Sequence, residues 1–218
     1  MTLPTIPASA STVSPFLLVL LLLGLGCGAP DEAAEAPPSP AAASIGLPAE
    51  QEAFWAALMA HCGNAYRGKV SDATPHYRAS AEREVAVIHF MSCSEDRIHI
   101  PLHLDDDRSR NWILTRVGGT IRLKHDHRHE DGTEDTITQY GGDAPVPGLA
   151  TRQIFRADAH TAEILPLRWD NFWFFDFVND STLQYGVHWP TMGHSIRYEF
   201  DLATPVAAPP PPWGYEPR

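Results

Sequence analysis

Three histidines spaced two apart, in the stretch Ile121 to Gly142 (IRLKHDHRHEDGTEDTITQYGG), are the densest concentration of chemistry in the chain. In an extended strand alternate residues face opposite sides. Ile121, Leu123, His125, His127 and His129 then share one face, and Arg122, Lys124, Asp126, Arg128 and Glu130 share the other. The second face carries a charge at every position and is expected to meet solvent. The histidines therefore line the interior or mouth of a β-structure. Asp131-Gly132 supplies a turn, with Glu134 to Tyr140 expected to return as the partner strand.

Neighbouring histidines on one strand face stand about 6–7 Å apart, so two can close on one ion whereas three cannot easily do so. A metal site would use His125 with His127, or His127 with His129, and a ligand from another strand. His194 is a candidate because it shares a face with Ile196, Tyr198 and Phe200; His89, Asp131 and Glu134 are others. Imidazole and carboxylate ligands suit zinc, with other divalent ions as alternatives. A polar pocket for a small molecule and a structural hydrogen-bond network are equally open expectations. Asp105, Asp107, Ser109 and Asn111 alternate as in a calcium loop, but Arg116 stands where the closing Glu is needed, so the stretch reads as a polar turn. Gly-x-Ser-x-Gly and phosphate-cradling glycine loops are absent from the sequence.

The elements that would position these groups are short strands. Ala65 to Val70, Glu84 to Cys93, Asp96 to Leu104, Asn111 to Val117, Arg152 to Arg156, Asp170 to Val178, Thr182 to Trp189 and His194 to Asp201 have strand character. Gly118-Gly119, Asn179-Asp180 and Met192-Gly193 provide tight turns. One helix precedes them, opening at Pro48, carrying Phe54, Leu58 and Cys62 at helical spacing and stopping at Gly63. The expected fold is mainly β: an antiparallel meander closed into a calycin-like barrel or a strongly curved sheet with one N-terminal helix, a β-sandwich being the alternative. The aromatic run Asn171 to Phe177 is read as core on one face, or else as an apolar wall for a ligand. Gly141-Gly142 is expected to let the backbone turn tightly at the barrel rim.

The chain has 218 residues and a formal net charge of −11, with no charged side chain among the first 26. A chain this acidic is a poor candidate for binding nucleic acid or anionic lipid by charge alone. Phe16 to Leu25 is too short an apolar run to span a bilayer but suits a signal-peptide core. Gly26-Cys27 resembles the end of a bacterial lipobox, which implies lipidation of Cys27 and anchoring in the cell envelope, with Gly28 leaning towards the outer membrane; an ordinary cleaved signal is the alternative. The resulting division is signal 1–26, lipidated Cys27 with an Ala/Pro tether to 49, one β domain at 50–202 and a Pro-rich tail at 203–218. Trp213 and Tyr215 are expected either to dock that tail on the domain or to leave it as a ligand for a proline-binding partner. An oxidising compartment would pair Cys62 with Cys93, the alternative being two buried thiols.

The segments HCGNAYRGKV (61–70), IHIPLHLDDDRSRNWILTR (98–116) and LKHDHRHEDGTEDTITQYGGD (123–143) resemble a family of uncharacterised exported bacterial proteins. That family combines a Cys-Gly-x-Ala-Tyr-x-Gly segment with a His-Asp-His-Arg-His-x-Asp-Gly run. The resemblance implies an envelope setting and a single domain, and no activity. A looser likeness is to calycin-type barrels, some of which bind zinc in the periplasm through His-x-His strands. The functional expectation is an envelope lipoprotein that binds a small ligand or divalent metal at the histidine strand. The rivals are a metal-dependent or acid/base hydrolase at the same place and a structural interaction protein.

Overall fold

The period-two segments form strands in the computed structural model, which describes residues 46–216 except 83. The described strands are β1 (Ala65–Ala73), β2 (Ala86–His89), β3 (Ser92–Cys93), β4 (Arg97–Leu104), β5 (Asp107–Val117), β6 (Thr120–His127), β7 (Tyr140–Asp143), β8 (Arg152–Arg156), β9 (Phe172–Asn179), β10 (Thr182–Trp189) and β11 (His194–Val206). They pair antiparallel in the order β7-β6-β5-β4-β2-β1-β11-β10-β9-β8, with β3 beside β4. This is a meander in which the last strand returns to pair with the first, Ala65 opposite Val206. Of two register shifts on the β1–β11 pair, one lies between Val70 and Asp72 and the other at Tyr66–Gly68, where the bare Cα of Gly68 leaves room for the Phe200 ring; a Cβ there would fall 2.3 Å from it. Such bulges increase local twist and help a sheet to curl.

Curling brings the two edge strands together. Just beyond β8, the Asp158 N–H donates to the Gly141 carbonyl at 2.9 Å. A Cβ on Gly142 would lie 1.9 Å from the Arg156 carbonyl oxygen, so only glycine permits this approach. The continuous sheet is thus a nearly closed barrel, not a sandwich, and the glycine pair serves its seam.

Helix α1 (Ala49–Met59) covers the barrel end that holds the β5–β6 turn. Phe54, Trp55 and Leu58 are buried in the common core, Phe54 meeting Phe177 edge-on at 5.8 Å. Arg116 binds Glu52 at 2.8 Å and lies over the Trp55 ring. At the C-terminal end of α1, Gly63 takes φ 84° and donates its N–H to Phe90 O, and the Cys62–Cys93 disulfide fastens this corner to β3. The expectation of a single helix is corrected: α2 (Pro75–Ala81) and α3 (Ala159–Ile164) stand at the opposite, open end. Both are too short to display a 3.6-residue period. Each begins from a local signal, Pro75 in the first turn of α2 and the Asp158 carboxylate, which caps Thr161 N–H at 2.9 Å.

Three further expectations change. Glu134 to Tyr140 is not the return strand: Arg128 and Glu134 form one isolated bridge, and β6 pairs instead with β7. Asp131 and Asp135 accept the N–H groups of Thr133 and Ile137 two residues on, and these side-chain turns displace a ladder. The supposed polar turn at 105–111 narrows to Asp105-Asp106, Asp105 having φ 52°, and β5 begins at Asp107. Finally, Asp126 is not at the solvent: its side chain is fully covered. β11 continues past 202 to Val206, and the tail then lies across β5 and β6. There Trp213 N–H donates to Arg108 O at 3.1 Å and the Tyr215 hydroxyl donates to Asp126 Oδ2 at 2.7 Å. Arg128, Gln139 and, at 3.5 Å, the Thr138 hydroxyl supply the carboxylate's other donors.

Candidate functional site

With α1 filling one end, the barrel interior opens at the other into a cavity of about 330 Å³, at the lower end of the range for small-molecule sites. β6 sends His125 and His127 into it, as alternation requires. Beside them stand Trp112 and Arg110 of β5, Tyr140 of β7, Trp173 of β9, and Tyr185 and Trp189 of β10. The irregular segment between α3 and β9 adds Arg168 and Asn171, while α2 adds Tyr77. The floor is aromatic: Trp112 and Tyr185 lie 3.9 Å apart between ring centroids, and His125 stacks on Tyr140 at 4.6 Å.

His125 is fully engaged. Its Nδ1 lies 3.1 Å from the Tyr140 carbonyl, which can only accept, so Nδ1 carries the proton. Nε2 then accepts from the Tyr185 hydroxyl at 2.7 Å. His127 Nε2 lies 3.0 Å from the Tyr140 hydroxyl. Burial first, and for His125 the adjacent His127, pushes the His125 pKa down to about 3. Burial and the neighbouring Arg110 guanidinium hold His127 at about 4. Burial also raises the Tyr140 phenol to about 12 and that of Tyr198 to about 12. At neutral pH the cavity therefore presents neutral imidazoles and neutral phenols as hydrogen-bonding groups, with Arg110 and Arg168 as cations.

The histidine ladder divides at the rim. His125 and His127 are inside, whereas His129 is exposed, its backbone N–H held by Thr133 O. His194 begins β11 on the far side and stacks on His76 of α2 at 5.0 Å. His89 is half-buried on β2, Glu134 pairs with Arg128 and Asp131 caps Thr133. The proposed ligands are thus not gathered, and among the described residues no three His, Cys, Asp or Glu side chains come together around one ion position. Cys27 lies outside the described residues.

Several cavity residues were absent from the sequence-based set. Arg110 sits two residues before Trp112 on one strand face, and Tyr185 and Trp189 follow the same alternation, so period two would have revealed them once those strands were taken as facing the site. Arg168 ends a 3-10 turn, Pro166–Arg168, too short for periodicity, and Asn171, read only as the head of the aromatic run, stands just before β9. The fold and site together define an antiparallel barrel, closed by a helix at one end and open at the other into a histidine- and tryptophan-lined cavity. Comparison with protein-family models, curated proteins and solved structures finds no match.

Proposed function

We propose that this protein binds a small organic molecule inside the barrel. The observation that carries this reading is a buried carboxamide: Asn171 is 2% exposed, lines the cavity, and among the described residues its Oδ1 has no hydrogen-bond partner. An unpartnered buried acceptor costs about 1–3 kcal/mol, which a ligand's donor would recover. Three tryptophans supply the apolar surface, and His127 and Tyr140 supply adjustable polar contacts. A histidine with its pKa near 4 is a weak base at neutral pH, which favours recognition over proton transfer. The apolar segment before Cys27, the Ala/Pro tether and the disulfide together favour an exported, lipid-anchored setting in an oxidising compartment.

Titration of the purified protein with the neutral fluorescent probe N-phenyl-1-naphthylamine tests the reading. One saturable site per chain is expected, with quenching of tryptophan fluorescence, and Val187→Trp, which fills the cavity, should abolish it without lowering Tm. Absence of stoichiometric binding, or full binding by the variant, would rule the cavity out.

A further inference from the structure

The cations of the cavity are unevenly matched, and this bears on what the cavity holds. Arg110 Nη1 lies 2.5 Å from Asp107 Oδ2, so its charge is already paired. Arg168 also lines the cavity, with its guanidinium carbon 5.8 Å from the Trp189 ring centroid, and among the described residues it has no ion pair. Glu84, on the α2 side, is the carboxylate that lines the cavity, and it acts on Tyr198. Asp107 and Asp135 approach from the rim, where they oppose Arg110 at His127. A chain with net charge −11 thus carries one unmatched, partly desolvated guanidinium at the mouth of its aromatic cavity. Guanidinium pairs with planar acid groups through charge-assisted hydrogen bonds.

Resting on the cavity reading above, we propose that the ligand is an organic monoanion: a flat apolar or aromatic body held among Trp112, Trp173 and Trp189, with one acid group at Arg168 and a hydrogen-bond donor turned to Asn171 Oδ1. One unmatched cation calls for one negative charge. The neutral imidazole of His127 and the Tyr140 hydroxyl line the same wall and accommodate polar substituents on the body.

The test uses two probes that share a body and differ in one acid group, 1-anilinonaphthalene-8-sulfonate and N-phenyl-1-naphthylamine, on the purified protein and on Arg168→Met and Arg168→Lys. Arg168 is half-buried in a short surface turn, so both variants should fold, which an unchanged Tm would verify. Arg168→Met should weaken the sulfonate about tenfold and the neutral amine less than twofold, with partial recovery in Arg168→Lys. In competition, 2-naphthoate should displace the bound sulfonate and naphthalene-2-carboxamide should not. If the amine binds while the sulfonate is insensitive to residue 168, or if the carboxamide competes as well as the carboxylate, the anion assignment fails and the cavity reading stands. If neither probe binds, both fail.

Discussion

Acid should unfold this protein through its histidines, and His125 allows the effect to be isolated. In the folded state its pKa is about 3, against 6.5 for an unfolded histidine. A group whose folded pKa is depressed below its unfolded value takes up a proton more readily when unfolded. Its stabilisation is therefore complete above pH 6.5 and is lost as pH falls towards the folded pKa. At pH 5 the medium is 1.5 units below the unfolded pKa, which at about 1.4 kcal/mol per unit removes about 2 kcal/mol through His125. His127 and His103, each held at about 4 mainly by burial, lose about the same amount. Burial also lowers His61, His89, His99 and His188, so they add in the same direction. Around pH 5.5 the three strongly shifted groups alone give a slope of about 4 kcal/mol per pH unit, large against a domain stability of about 5–15 kcal/mol. Urea unfolding at pH 7.5, 6.5 and 5.5 measures it, in a window above the range where Asp107 and Asp158, with lowered pKa values, begin to titrate. His125→Gln keeps an acceptor for Tyr185 but forfeits the donor to Tyr140 O. It should therefore lower stability at pH 7.5 by about 1–3 kcal/mol and flatten the slope by about one proton's worth, 1.4 kcal/mol per unit. Parallel curves for the two proteins would mean that His125 is not held neutral in the fold.

Two other perturbations address the supports of the barrel. The Cys62–Cys93 bond spans a sequence separation of 31, for which chain entropy gives about 3–4 kcal/mol; urea midpoints with and without reductant should differ accordingly, and a difference below about 1 kcal/mol would contradict the estimate. Tyr215→Phe removes the hydroxyl donor from the covered Asp126 carboxylate and should cost about 2 kcal/mol, together with faster proteolytic loss of the tail. A variant as stable and as resistant as the parent would show that the tail does not clamp β5 and β6.

Period two carried the reading as far as each strand's own side chains allow. It located β8 and β10 to the residue and turned His125 and His127 inward. It failed where a partner comes from far along the chain: Asp126 is masked by Tyr215, 89 residues away, and nothing near Asp126 foretells that cover. It failed also where side chains compete with the ladder. Thr136 to Tyr140 has strand-like composition, yet Asp135 captures the Ile137 N–H and leaves Ile137 43% exposed. The candidate site was half legible for the same reason: its histidines lie on a regular strand, whereas Arg168 lies in a three-residue 3-10 turn and the polar role of Asn171 was hidden at the edge of an aromatic run. Placing His129 with the inner pair assumed that the face continues beyond the rim, where β6 has already ended at His127, whereas His194 does lie on its strand but across the barrel against His76.

The pairing of the first strand with the last has a kinetic consequence. β1 is made early, but its second edge stays open until β11 is available, some 140 residues later. Contacts so distant in sequence raise contact order and slow folding. A growing chain that lacks β11 exposes the edges of both β1 and β10, along with the aromatic interior they should enclose. No shorter version of the barrel can close, so the disulfide corner and the β4–β5–β6 meander are the parts able to form first. Assembly then requires β11 to dock between β1 and β10 and the tail to fasten over Asp126, so completion of the cavity waits on segments far along the chain from β1.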